Sequence, residues 1–120
     1  MNLSKTQLLN HLEQFYGTQY YYPLWPKVLL TDGSKYLAET AGCYWLMDAI
    51  TQHIQYISSE DFISCRLITR NNQAQLILDD GNGNVLAKQR IHHTDFPLDD
   101  YQLYACRSTD KWVILLPSEY

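Results

Sequence analysis

A helix that is apolar around most of its circumference has few places to sit in a small protein, and the stretch Ala41–Ile57 reads as such a helix. At about 3.6 residues per turn, Cys43, Leu46, Met47, Ile50, Ile54 and Ile57 share one face, while Trp45, Ala49 and Tyr56 widen it. Only Tyr44, Asp48, Thr51, Gln52 and Gln55 form a polar strip. A helix resting on a surface needs a single apolar stripe, so this one is expected to be central and covered by other elements on more than one side. His53, at the edge of the apolar face and without a spaced partner, reads as an imidazole satisfied by a neighbouring group rather than a ligand.

Upstream, Leu3–Tyr16 predicts an amphipathic helix with Leu8, Leu9, Leu12, Phe15 and Tyr16 on one stripe. Ser4 and Gln7 have capping-box spacing, Leu3 and Leu8 could close a hydrophobic staple, and Gly17 suits a left-handed C-terminal cap. Residues Gln19–Pro26 then take an extended path, because two prolines exclude a helix interior. Tyr20, Tyr21, Tyr22 and Trp25 crowd this arm with rings that carry polar tips, the kind of residue interfaces favour. It is the first candidate for a binding surface; a strap laid over the core would use the same residues. Val28–Thr31 predicts a short strand ended by a turn at Asp32-Gly33. Ser34–Thr40 could open a helix capped by Ser34. If that helix ran on unbroken, Glu39 would enter the same face as Leu46 and Ile50, and a lone buried carboxylate is costly. A break between Glu39 and Gly42 is therefore expected, with Thr40 as N-cap of the central helix.

From Phe62 onward the pattern has period two. Ile63, Cys65 and Leu67 alternate with Ser64, Arg66 and Ile68, and Ala74, Leu76 and Leu78 with Gln75, Ile77 and Asp79. Asn71–Gln73 and Asp79–Asn84 supply turn residues, Val85–Ile91 returns, and Tyr101–Arg107 and Trp112–Leu116 form a last hairpin after a loop containing Pro97. The expected class is α+β: two N-terminal helices packed on an antiparallel β-meander of four to six strands, as a single domain over residues 1–120.

Composition narrows the function. A net charge of -4 with no run of lysine or arginine argues against a nucleic-acid partner. No window approaches the roughly 20 apolar residues of a membrane span, and Met1–Lys5 does not open a signal peptide, so no membrane is implied and a cytoplasmic location is expected. Cys43, Cys65 and Cys106 are an odd number at wide spacing, which predicts reduced thiols without structural zinc, and no cofactor motif is present. Cys43 is the most tempting chemical group. A thiol in the first turn of a helix, facing a sheet that carries His92, His93 and Asp95, has the layout of papain-like thiol hydrolases, with His93 as base and Asp95 as its orienter. Against this, free cysteine is among the most buried residue types, and Cys43 lies within the core face. His93 and Asp95 lack a third metal ligand, and Asp79–Asn84 lacks the glutamate that closes a calcium loop, so no metal site is expected.

Three segments carry a resemblance: Thr31–Gly42 (Thr-Asp-Gly-Ser-Lys-Tyr-Leu-Ala-Glu-Thr-Ala-Gly) followed by Tyr44-Trp45-Leu46, then Thr94-Asp95-Phe96-Pro97-Leu98, and Leu115-Leu116-Pro117-Ser118-Glu119-Tyr120. Together they resemble a family of small uncharacterised bacterial proteins, seen also on plasmids and phages, known as a domain of unknown function. The resemblance implies a single domain ending at its natural C-terminus. It brings no activity, and the family pattern has alanine where Cys43 stands, which weakens a catalytic role for that thiol. The expected function is a non-enzymatic protein-binding module of bacterial or mobile-element origin. It would engage another protein, or a second copy in a homodimer, through Tyr20, Tyr21, Tyr22 and Trp25; a thiol hydrolase using Cys43 and His93 is the alternative.

Overall fold

The structure is a computed structural model that describes residues 3–120; Met1 and Asn2 of the expected 1–120 unit lie outside the described residues. The first helix, α1 (Lys5–Glu13), opens with the expected capping box: the Gln7 N–H donates to Ser4 Oγ at 3.1 Å, and the Ser4 N–H to Gln7 Oε1 at 2.9 Å. It buries Leu8 and Leu12 but stops short of Tyr16. Its last turn tightens as the Gln14 and Phe15 N–H groups bond to His11 O and Leu12 O, so Gly17 is not its cap. The proline-rich arm then pairs as a strand. β1 (Tyr22–Trp25) and β2 (Val28–Leu30) form a hairpin turning at Pro26-Lys27, with Lys27 at φ 65°. β1 is one of the two edge strands of the sheet, a position that tolerates the N–H missing from Pro23.

The Asp32-Gly33 pair does not form a free turn; it is the first turn of α2 (Asp32–Thr40). Thr31, not Ser34, is its N-cap, and Ser34 completes the capping box from the third helical position. The chain breaks where expected, through Gly42 at φ 62°, and resumes as α3 (Tyr44–Ile54) with Cys43 rather than Thr40 in the N-cap position. The break turns Glu39 outward, where it lies 3.5 Å from Lys35 one turn back. Three helices therefore replace the expected two. α3 buries Leu46, Met47, Ala49, Ile50, Thr51 and Ile54. Thr51 enters the core from the polar strip because its hydroxyl donates to Met47 O at 2.9 Å, whereas Tyr56 lies past the helix end and is exposed.

Five more strands complete one sheet: β3 (Phe62–Arg70), β4 (Gln73–Asp79), β5 (Val85–Ile91), β6 (Asp100–Ser108) and β7 (Lys111–Leu115). The sheet has seven strands in the order β1-β2-β7-β6-β3-β4-β5, antiparallel except for β2 beside β7. This corrects the meander of four to six strands in two ways. The N-terminal hairpin joins the sheet because β2 finds β7. And β6 lies beside β3, not β5, so β6-β3-β4-β5 forms a Greek key. The crossing segment His92–Asp99 is what allows this. The Thr94 N–H bonds to Asn72 O at 2.9 Å, Thr69 Oγ1 donates to Leu98 O at 2.7 Å, and Phe96 and Leu98 are buried, which steers the chain past the β3–β4 turn.

The expected alternation places Ile63, Cys65 and Leu67 of β3 on the face that meets the helices, in register with Ala105, Leu103 and Tyr101 of β6. The opposite face carries Ser64, Arg66 and Gln102 together with a cluster of Phe62, Tyr104 and Tyr120, whose ring centroids are 4.9–5.4 Å apart. His53 crosses from α3 to the sheet, with its Nε2 2.8 Å from Gln89 Oε1 on β5. Among the described residues no helix is long and apolar enough to cross a membrane.

Candidate functional site

The aromatic arm stays on the surface. Tyr20 is 63% exposed, Tyr21 56% and Trp25 47%, all on or just before edge strand β1. The Trp25 ring is held in place: its Nε1–H donates to Asp48 Oδ1 at 2.9 Å, on the α3 strip that also presents Tyr44. Tyr22 departs from the expected set. Its ring is half-buried under Lys35 Nζ, 4.4 Å from the centroid, and its hydroxyl donates to Asp32 Oδ1 at 2.9 Å. That bond to the Asp32 carboxylate raises the Tyr22 phenol above its ordinary range. Tyr22 thus fastens the arm to the start of α2, leaving Tyr20, Tyr21 and Trp25 as the free rings.

The thiol and imidazole candidates are not brought together as chemistry would need. Cys43 is fully buried, and its Sγ donates to Leu37 O at 3.6 Å. Burial pushes its thiol up to about 12, the opposite of the low value a nucleophilic cysteine requires. His93 and Asp95 are exposed and line a shallow cleft of about 300 Å³ with Gly42, Trp45 and Thr94. Cys43 does not line that cleft, and its sulfur is turned into the core, where it bonds to Leu37 O. The other thiols are no better placed: Cys65 is buried and raised chiefly by desolvation, and Cys106 is half-buried and shifted the same way. Among the described residues no three His, Cys, Asp or Glu side chains gather as a metal set. The Asp80 carboxylate is occupied by its own loop, accepting from Asn82 N–H at 2.8 Å and from Asn84.

A family model described as a family of unknown function, DUF6876, matches residues 6–120. The chain belongs to the DUF6876 family. No curated protein matches it. Its fold is similar to that of a crystal structure of a protein of unknown function from Enterococcus faecalis, with 15% identity and a TM-score of 0.55 over 81% of this chain and 98% of that one.

The two longest segments of the resemblance, 84 residues apart from Thr31 to Leu115, meet at the N-terminus of α2. Glu119, in a 3₁₀ turn (Pro117–Glu119) after β7, reaches back across the sheet end. Its Oε1 accepts from the Thr31 hydroxyl at 2.6 Å and the Leu116 N–H at 2.9 Å, and its Oε2 accepts from the Gly33 N–H at 3.0 Å. Gly33 leaves no room for a side chain there, since a Cβ would lie 2.6 Å from Glu119 Oε1 and from Leu116 Cδ1. Around the same turn, the Thr31 N–H bonds to Ser34 Oγ, the Asp32 N–H to Thr18 Oγ1, and the Ser34 N–H to Thr31 Oγ1. Ser34 Oγ in turn donates to Ile114 O of β7 at 2.7 Å. The donors that a helix N-terminus leaves unpaired are all taken by the chain itself, so this end of α2 closes the fold and has none left for a ligand. The Asp32 carboxyl, held below its usual range first by the Gln19 N–H and then by the Tyr22 hydroxyl, ties the aromatic arm to the same point. Sequence reasoning left Glu119 as one of several scattered carboxylates. The signal that it mattered was its place in the C-terminal segment of the resemblance, but nothing local names its partner.

Proposed function

We propose that the chain is a non-enzymatic, cytoplasmic module of bacterial or mobile-element origin that binds another protein, or a second copy of itself, through Tyr20, Tyr21 and Trp25. The observation that carries this reading is the exposure of three large rings on edge strand β1 and the segment leading into it, with Trp25 pinned by Asp48 instead of folded into the core. Rings held with a polar tip engaged supply contact area at little entropic cost, which suits a docking surface. The resemblance of the Thr31–Leu46 and C-terminal segments to bacterial, plasmid and phage proteins supports the origin.

The test compares the intact chain with the triple variant Tyr20→Ala/Tyr21→Ala/Trp25→Ala, after circular dichroism has established that both are folded. Sedimentation velocity over a wide concentration range reads self-association, and cross-linking followed by capture reads a heterologous partner. The variant should lose the dimer or the captured partner. Identical behaviour of the two proteins in both assays would remove the arm as a binding surface.

A further inference from the structure

The lysines and arginines of this acidic chain, nine in all, are divided in an uneven way. Five have a carboxylate within reach: Lys5 with Asp99, Lys27 with Asp110, Lys35 with Glu39, Arg66 with Asp100 and Arg107 with Asp61. Among the described residues Arg70, Lys88, Arg90 and Lys111 have none. Strand register brings all four to the sheet face turned away from the helices, Lys111 opposite Ser108 on β7 and the other three together on β3 and β5. Arg70 follows Arg66 and Ile68 on that face of β3; Arg70 pairs with Gln73, Ile68 with Gln75, Gln75 with Arg90, and Ile77 with Lys88. Arg70 and Arg90 both line an open cleft of about 500 Å³ with Ile68, Asn71, Gln73 and Gln75, and no carboxylate lines it. The acid across Ile68, Asp100, is already clasped by both arms of the Arg66 guanidinium.

We infer that the cleft between Arg70 and Arg90 binds a small phosphate-bearing anion. Two guanidinium groups on either side of one strand repel each other with no anion between them, and each offers a planar fork of donors that matches phosphate oxygens bidentately. The amide side chains of Asn71, Gln73 and Gln75 add neutral donors, and Ile68 supplies an apolar floor for the organic part of a ligand. The volume suits a small molecule. A polyanion is disfavoured, since the face holds only four free cations, with Lys111 apart from the rest on β7, on a chain of net charge -4. The site lies at the sheet edge opposite the aromatic arm, so it stands or falls independently of that surface.

The test is a titration of ¹⁵N-labelled protein with inorganic phosphate and with pyrophosphate, ionic strength held constant with sodium chloride, reading backbone amide and arginine Nε shifts. Saturable shifts should centre on Arg70, Gln73, Gln75 and Arg90, with pyrophosphate bound more tightly. Arg70→Gln or Arg90→Gln should each weaken binding by roughly tenfold or more, the effect of losing one charged hydrogen-bonding partner. Lys111→Gln, which removes a free cation on β7 well outside the cleft, should leave affinity unchanged. The inference is overturned if chloride alone reproduces the shifts, if Lys111→Gln weakens binding as much as Arg90→Gln, or if a single-stranded oligonucleotide binds more tightly than pyrophosphate.

Discussion

Replacing Glu119 with alanine should detach the C-terminal turn from α2, and the size of the loss can be worked from the contacts. The carboxylate accepts three hydrogen bonds, from Thr31 Oγ1 at 2.6 Å, Leu116 N at 2.9 Å and Gly33 N at 3.0 Å. In a dry site each bond to a charged acceptor is worth about 1.5–3 kcal/mol. Glu119 is only half-buried and water can reach the vacated donors, so a total near ~3 kcal/mol is expected for Glu119→Ala, or a fall in Tm of ~10 °C for a domain this size. Glu119→Gln keeps one acceptor oxygen for Thr31 and Leu116 but turns an amide toward the Gly33 N–H, and should cost roughly half as much. Gly33→Ala provides the second arm. Alanine has the better helix propensity, yet its methyl would sit 2.6 Å from Glu119 Oε1 and Leu116 Cδ1 and 2.7 Å from Glu119 Cδ. The substitution should therefore destabilise, and less so once Glu119 is alanine, giving a coupling of about 1 kcal/mol or more in the double-mutant cycle. Urea unfolding of the parent, both single variants and the double variant, followed by tryptophan fluorescence, measures all of these terms. A loss below ~0.5 kcal/mol for Glu119→Ala, or strict additivity with Gly33→Ala, would refute the lock.

The buried thiols should make stability fall in alkali. Cys43 is pushed up to about 12 from an ordinary 9.0 by burial, and Cys65 is raised by the same cause. The unfolded chain therefore releases these protons first, and stability that is intact below pH 9 is lost progressively as pH climbs toward 12. Denaturant midpoints between pH 8 and 11 should show that slope, and Cys43→Ala should flatten it. Under native conditions a thiol reagent should modify half-exposed Cys106 well before the other two, and labelling of Cys43 at an equal rate would contradict its burial. The tryptophans should separate just as clearly. Trp112→Ala, at 6% exposure, should cost about 3–5 kcal/mol, and Trp25→Ala, at 47%, less than ~1 kcal/mol, so equal losses in urea would show that Trp25 is not a surface residue.

Much of the architecture was legible because it rests on interactions a few residues long. Ser4 with Gln7 starts α1, the misfit of Glu39 demands a break that Gly42 supplies, and the alternation of Ile63, Cys65 and Leu67 marks a strand with one buried face. Cap positions were less secure. Thr31, Ser34, Thr40 and Cys43 all lie near a helix start, and which one caps depends on where the preceding strand releases the chain. The candidate site was legible only as a list. Tyr20, Tyr21 and Trp25 stayed exposed, but Tyr22 was captured by Asp32, and nothing in the order of residues places Arg70 beside Arg90.

The sequence by itself marked α1, the central helix and the alternating strands, and which side of each is apolar, since backbone periodicity and capping act within one or two turns. Only the tertiary structure decided that β2 runs parallel to β7, that β6 returns beside β3, and that Glu119 fastens α2. An apolar face requires a cover without specifying which one. The choice among covers is made by register and by side chains that meet across 80 or more residues, as Thr31 and Glu119 do.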